Sequence, residues 1–339
     1  MNSPQTPLLK REGLLKLLFS LQEKRPGDEF LEYLLHILIL ICIYVILSLS
    51  LNLLVGYTGI LSIAHAAFYG VGAYVAALMA LRLETPFLLN IILAVIAAGV
   101  FGAVVGIPSL RLKDDYFVIA TFAFQIIMFS VLNNLVEFTG GPLGLPGIPQ
   151  PNIFGYEIST HIEFLILSLL LAGLVYWVSN RIVKSPFGRL LKSIREDEVF
   201  VKAVGRDISA AKVKVFIISA SLASLAGVIY ATYITYIDPT SFTVMESIFI
   251  ISIVIIGGAA NLKGSILGAA FLVALPELLR FIGLPNSIAA NVRQILYGAL
   301  LVIMMMWRPQ GFLGEYAFGK SSEDRRQKLE DRSKRGNDA

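Results

Sequence analysis

The chain has 339 residues, of which 56% are hydrophobic and only 15% are charged. Ordinary soluble domains carry roughly 25% charged residues, so this composition argues against a water-soluble fold. The net charge of +4 does not indicate nucleic-acid binding, because the basic residues lie between and beyond the apolar runs, as they do in the loops of membrane proteins.

Residues 1–30 precede the first apolar run and carry scattered charges. Their apolar patch at 13–21 is interrupted by Lys16, so no cleavable signal peptide is predicted. The patch is compatible with an amphipathic surface helix or with a disordered arm. The polar residues 315–339 at the other end are expected to form a solvated or disordered tail.

Nine apolar runs lie between these ends, and most approach the roughly 20 residues that cross a hydrocarbon layer of about 30 Å. They are residues 33–55, 59–81, 86–107, 116–136, 164–179, 213–236, 247–260, 265–281 and 292–307. The sequence therefore predicts an all-α, polytopic transmembrane helical bundle of about eight to nine segments over residues 31–314. Some runs are short or rich in glycine, so one or two are expected to be broken or re-entrant.

The charges of the loops predict an orientation. Residues 180–212 are rich in Lys and Arg, which assigns them to the cytoplasm, whereas 137–163 and 238–246 contain neither and are assigned to the outer face. Counting crossings from these loops assigns the C-terminus to the cytoplasm and the basic N-terminal arm to the outside. Either the charge rule is overridden at the arm, or residues 56–81 do not cross as one simple helix.

The basic loop 181–214 is patterned more than a connector requires. It reads R-I-V-K-S-P-F-G-R-L-L-K-S-I-R-E-D-E-V-F-V-K-A-V-G-R-D-I-S-A-A-K-V-K, and its apolar positions predict two short helices broken at Gly205. Such a pair would suit docking onto a cytoplasmic partner. The alternative is an amphipathic loop on the lipid headgroups. The docking candidates are Arg189, Arg195, Glu196, Asp197, Glu198 and Gly205.

The stretch S-P-F-G-R-L-L-K-S-I-R-E-D-E, followed by K-A-V-G, resembles the coupling loop of branched-chain amino acid ABC importer permeases of the M type. Four other segments resemble this family in the same order. They are L-N-L-L-V-G-Y-T-G-I-L-S-I-A-H-A-A-F-Y-G-V-G-A-Y from Leu51, T-G-G-P-L-G-L-P-G-I-P from Thr139, G-G-A-A-N-L-K-G-S-I-L-G-A-A-F from Gly257, and R-Q-I-L-Y-G-A-L-L-V-I-M-M-M-W-R-P-Q-G-F-L-G from Arg293.

Two departures from the family pattern stand out. The loop lacks the E-A-A-x-x-x-G pattern of other importer permeases, since Glu198 and Gly205 are seven residues apart. Pro142 and Leu143 occupy positions where the family tends to have small polar residues.

The resemblance implies an ABC importer permease fold and the transport of leucine, isoleucine and valine across a bacterial or archaeal inner membrane. It also implies the partners: a second permease subunit of the H type, two cytoplasmic ATPases, an extracytoplasmic substrate-binding protein and membrane lipid. The chain contains no G-x-x-x-x-G-K-[ST] loop, so ATP is expected to be bound and hydrolysed by the partner subunits. No catalytic residue, metal site or cofactor is expected in the chain itself.

Five polar side chains within the apolar runs are candidates for lining a translocation path: Asn52, Ser62, His65, Thr121 and Gln125. Polar groups at this depth usually face the bundle interior or a water-filled path, because exposure to lipid is costly. The alternative is that they form hydrogen bonds that hold neighbouring helices together.

The sequence leaves two alternatives to a branched-chain amino acid permease. A permease of the related importers of urea or short amides would use the same fold, and the apolar spans do not separate it from the branched-chain type. An ion-coupled secondary carrier needs acidic residues at mid-membrane, and the clear middle of the predicted spans contains no Asp or Glu. The carrier is therefore the weaker alternative.

Overall fold

The computed structural model describes residues 26–280, except 113 and 154, together with residues 295, 298–300, 302–303, 306–307 and 310–314. The expectations for the arm before residue 26, for much of the ninth apolar run and for the tail 315–339 lie outside the described residues.

The described chain is a bundle of α-helices, six of which are long and apolar enough to cross a membrane. Two shorter apolar helices follow them. The predicted all-α polytopic fold is confirmed. The helices are α1 (Pro26–Thr58), α2 (His65–Leu83), α3 (Phe87–Ser109), α4 (Asp114–Asn134), α5 (Val136–Thr139), α6 (His161–Lys184), α7 (Pro186–Glu196), α8 (Glu198–Ala203), α9 (Ile208–Ile234), α10 (Val244–Gly257) and α11 (Leu262–Arg280).

Four two-residue strands lie at one end of the bundle, called here the hairpin end. Strand β1 (Leu145–Pro146) pairs antiparallel with β4 (Tyr236–Ile237), and β2 (Asn152–Ile153) pairs antiparallel with β3 (Tyr156–Glu157). The helices α7 and α8 lie at the opposite end, called here the α7–α8 end, because α6 and α9 each connect one end to the other.

Local signals in the sequence fix several helix starts. Helix α6 begins with a capping box, in which Thr160 Oγ1 accepts from the Glu163 amide and the Glu163 carboxylate accepts from the Thr160 amide. At the start of α9, Asp207 Oδ1 accepts from the Ala210 amide at 3.0 Å. These caps satisfy N–H groups that the helices themselves leave unbonded.

Residues 59–64 are not helical, so α2 begins only at His65. Helix α1 runs from the hairpin end, where His36 Nδ1 lies 2.7 Å from Tyr233 Oη, to the α7–α8 end, where the Gly56 carbonyl accepts from Arg195. The chain then returns through 59–64 and α2 to the hairpin end. Residues 56–81 are therefore interrupted at 59–64, but they still lead from one end of the bundle to the other.

The core lies where α1, α2, α9 and α10 pack together, and most of α2 is buried. The outward faces of α3, α4 and α6 instead expose large apolar side chains, as lipid contact requires. Among these exposed residues are Ile92, Ile96, Val100, Ile119, Ile127, Leu170 and Trp177.

Candidate functional site: a polar junction and a terminal helix pair

Helix α2 begins inside the bundle, and side chains from two other helices bond its first turn. The Ala66 amide donates to Ser247 Oγ of α10 at 2.9 Å, and the Ala67 amide donates to Gln125 Oε1 of α4 at 2.7 Å. Gln125 Nε2 donates to the Phe242 carbonyl at 2.7 Å. Unbonded N–H groups are costly where water is absent. The hydrogen bonds from Ser247 and Gln125, called here the polar junction, therefore allow α2 to begin inside the bundle.

The non-helical residues before α2 are bonded in the same way. Thr121 Oγ1 accepts from the Ile63 amide at 3.2 Å and donates to the Val118 carbonyl at 2.9 Å. Ser62 Oγ accepts from the Ala64 amide at 3.3 Å. Both hydroxyl residues are fully buried.

His65 is almost fully buried at the first position of α2. Its Nε2 lies 2.7 Å from Ser50 Oγ, and Ser50 Oγ is also placed to donate to the Leu47 carbonyl at 2.8 Å. When the single hydroxyl hydrogen of Ser50 points to Leu47, its oxygen accepts from His65 Nε2–H. The imidazole therefore joins the start of α2 to the middle of α1.

Asn52 is bonded at a different point, the turn between α10 and α11. Its Nδ2 donates to the Asn261 carbonyl at 3.0 Å and to Ser265 Oγ at 2.7 Å, while its Oδ1 accepts from the Ala260 amide at 2.9 Å. The structure thus groups Ser62, His65, Thr121 and Gln125 around the start of α2 and sets Asn52 apart. Each of the five has a hydrogen-bond partner within the chain, and lining a path stays a prediction for all of them.

Glu246 is a helical acid whose position the sequence does not predict. It was assigned to the external loop 238–246, but α10 already begins at Val244, so Glu246 lies in its first turn. Tyr44 Oη of α1 donates to Glu246 Oε1 at 2.7 Å. The apolar pair Val244–Met245 before it was the available signal that the helix starts earlier.

The loop 181–214 contains the two predicted short helices, but the predicted break at Gly205 is wrong. The break is Asp197, whose extended backbone separates α7 from α8 and whose Oδ1 accepts from the Phe200 amide at 2.9 Å. An aspartate at this position caps the new helix. Gly205, with φ of +78°, instead follows the end of α8.

The docking candidates Asp197 and Glu198 are bonded to named partners within the chain. Asp197 caps α8, and Glu198 forms an ion pair with Lys212 of α9 at 2.9 Å, the lysine side chain being only 9% exposed. Glu196 and Arg189 are exposed. Arg189 also lines a groove of about 480 Å³ between α7 and α8, with Phe187, Leu190, Phe200, Val201 and Val204 among the other lining residues.

Helix α7 is fastened to the last turn of α1. Arg195 donates to the Gly56 carbonyl, and the Lys192 ammonium lies 5.5 Å from the centroid of the Tyr57 ring. The Arg195 side chain also covers Gly59, where an added Cβ would lie 3.1 Å from Arg195 Cγ. The helix pair therefore contacts the last turn of α1, the helix that also carries Asn52.

No group of three or more His, Cys, Asp or Glu side chains is placed to hold a metal ion within the described part of the chain. The described residues instead offer buried hydrogen bonds and one protruding helix pair.

The family described as "Branched-chain amino acid transport system / permease component" matches residues 33–305. The high-affinity branched-chain amino acid transport system permease proteins LivM of Salmonella typhimurium and Escherichia coli K12 are each 36% identical over 294 residues, covering 80% of this chain and 68% of theirs. The permease protein LivH of Escherichia coli K12 is 23% identical, covering 80% of this chain and 91% of its own.

The comparison with solved structures gave no match. The family match spans most of the chain, and the identity to the LivM proteins exceeds that to LivH. The chain therefore belongs to the family of permease components of branched-chain amino acid transport systems, and within it to the LivM type.

Proposed function

We propose that this chain is the transmembrane permease subunit of an ABC importer that carries leucine, isoleucine and valine across the inner membrane of a bacterial or archaeal cell. The LivM relatives are named for branched-chain amino acid transport. The single observation that carries the mechanism is the α7–α8 pair, which lies at one end of a bundle of apolar helices and is bonded to the last turn of α1.

The α8 surface has the character of a protein-docking site. Val199 is 80% exposed, Phe200 64% and Val204 63%, and exposed apolar residues rimmed by charge mark interaction surfaces. The exposed Glu196 and Arg189 supply that charge at the rim. We assign this surface to a cytoplasmic ATPase subunit, which binds and hydrolyses the ATP, so that the permease needs no cofactor.

The contacts of α7 give a route from the docking surface to the membrane interior. Arg195 holds the Gly56 carbonyl, and Asn52 lies one turn before Gly56 on the same helix. Asn52 in turn binds the chain between α10 and α11. A displacement of α7 by an ATPase would thus move the end of α1 and the α10–α11 turn together.

The orientation follows from charge. The α7–α8 end carries most of the described Lys and Arg residues and is assigned to the cytoplasm together with the C-terminus, while the hairpin end is assigned to the outer face. A hairpin-end cavity of about 950 Å³ is lined in part by Glu84 and Glu157, and it would receive the substrate-binding protein. Helix α1 begins at this end, so in this account the charge rule is overridden at the N-terminal arm.

The remaining partners follow from the exposed helix faces. The apolar outward faces of α3, α4 and α6 are suited to lipid and to a second permease subunit of the H type. The LivH relatives bear the name of such a second permease component.

The function is tested by reconstituting the whole importer in liposomes and measuring uptake of labelled leucine and labelled urea. We expect ATP-dependent leucine uptake that stops when the Walker lysine of the ATPase is replaced and persists when ion gradients are dissipated. Uptake of urea without leucine would favour the related amide importers. Uptake that follows an ion gradient and ignores the ATPase variant would indicate a secondary carrier.

A further inference from the structure

Glu246 places a carboxyl group within the membrane-spanning part of the bundle. The neighbouring Ser247 bonds the internal start of α2, and Glu246 itself accepts from Tyr44. Tyr44 precedes the end of α1 at Thr58 by 14 residues, about 21 Å of helix at 1.5 Å per residue. This depth lies inside a hydrocarbon layer of roughly 30 Å.

The carboxyl group has a neutral partner only. Its hydrogen bond comes from the Tyr44 hydroxyl, and no Lys, Arg or His among the described residues forms an ion pair with it. An unpaired carboxylate at this depth is costly, and such acids in membrane proteins usually serve a transported or bound group. The group that would balance Glu246 is a cation.

Aromatic rings surround the same point. The Tyr44 ring meets the Phe249 ring edge-on at 5.1 Å between centroids, and the Tyr69 ring lies 4.9 Å from that of Phe242. Tyr69 lies about one turn after Ala66, whose amide donates to Ser247 next to Glu246. Aromatic rings close to a bound cation add to its attraction.

The face of α10 that carries Glu246 is partly exposed. Met245 is 58% exposed and Ile248 43% exposed, and Glu246 between them is partly exposed. A carboxylate turned toward lipid would be unfavourable, so this face is expected to line an aqueous path or the contact with a second permease.

We propose that Glu246 binds the α-ammonium group of the amino acid during its passage through the permease. The inference rests on the proposed function and deepens it by naming the part of the substrate that is recognised. A charge-assisted hydrogen bond between ammonium and carboxylate is stronger than one between neutral groups. A neutral amide such as urea would gain no ionic attraction at Glu246.

The test uses the reconstituted importer and compares Glu246→Gln with Glu137→Gln, an exposed acid in α5 at the hairpin end that lies outside the cavity assigned to the binding protein. Glutamine keeps the shape of the side chain and an acceptor for Tyr44. We expect the number of leucine molecules carried per ATP hydrolysed to fall about tenfold or more in Glu246→Gln, the loss expected for one charged hydrogen bond. Stimulation of ATP hydrolysis by the binding protein should persist, and Glu137→Gln should behave as wild type.

Leucine carried per ATP within about twofold of wild type in Glu246→Gln would overturn the proposal. If Glu246→Gln does not assemble with its partners, leucine carried per ATP is measured in the assembled Glu246→Asp complex, because aspartate keeps the negative charge. We expect it to retain about a third or more of the wild-type ratio, and a tenfold loss there would contradict the proposal. A wild-type importer that carries no leucine would instead contradict the proposed function itself.

Discussion

The Gly227→Ala variant is expected to be less stable than the wild-type chain by about 1–3 kcal/mol, the usual cost of forcing an extra group into a filled core. Gly227 lies where α9 crosses α2. An added Cβ would lie 2.2 Å from the Tyr69 carbonyl oxygen and 2.6 Å from the Ala73 nitrogen. Both are backbone atoms of α2, so the two helices must separate to accommodate a single methyl group.

The matched control is Gly173→Ala in the membrane helix α6, where an added Cβ meets nothing within 4 Å. Both substitutions replace a helical glycine with alanine, so their difference isolates the packing term from helix propensity. Thermal unfolding of the detergent-purified proteins gives the measurement. Equal unfolding midpoints for the two variants would show that α2 and α9 do not pack this closely.

The Phe200→Asp variant is expected to remain folded in the membrane but to lose its ATPase partner and, with it, about tenfold or more of the leucine uptake. Phe200 is 64% exposed and lines the α7–α8 groove. A charge there opposes burial in an apolar contact, while little of the fold depends on an exposed side chain. Co-purification of the ATPase and uptake by liposomes are the two measurements.

Leu143→Asp provides the control for this substitution. Leu143 is 82% exposed at the hairpin end, so the chemical change is comparable and the location is opposite. We expect Leu143→Asp to retain the ATPase. If the Phe200→Asp protein still binds the ATPase at wild-type level, α8 is not part of the docking surface.

The apolar runs were sufficient to predict most of the membrane helices, because spanning segments must satisfy their own backbone bonds and so appear as long hydrophobic stretches. They were insufficient for the start of α2. Residues 59–64 are as apolar as the helix that follows, and the decisive bonds come from Gln125 and Ser247, which lie 58 and 181 residues away from their partners. No local pattern contains that information.

The sequence also gives the wrong position for the break between α7 and α8, for a different reason. The pattern of apolar positions predicts a break at Gly205, although Asp197 is itself a favourable capping residue and the structure uses it as the cap. The roles of Asp197 and Glu198 could not be predicted in full, because the ion-pair partner Lys212 becomes a neighbour only when α9 packs beside α8. The sequence identified these residues, and the fold determined what they contact.

The most direct test of the account is the side of the membrane on which the α7–α8 pair lies. The single cysteine, Cys42, is buried, so Val204→Cys and Gln150→Cys in a Cys42→Ala background each carry one exposed thiol. We predict that a membrane-impermeant maleimide labels Gln150→Cys in intact cells and labels Val204→Cys only after the membrane is opened. Labelling of Val204→Cys from outside, with Gln150→Cys protected, would contradict an ATPase-driven permease of this orientation.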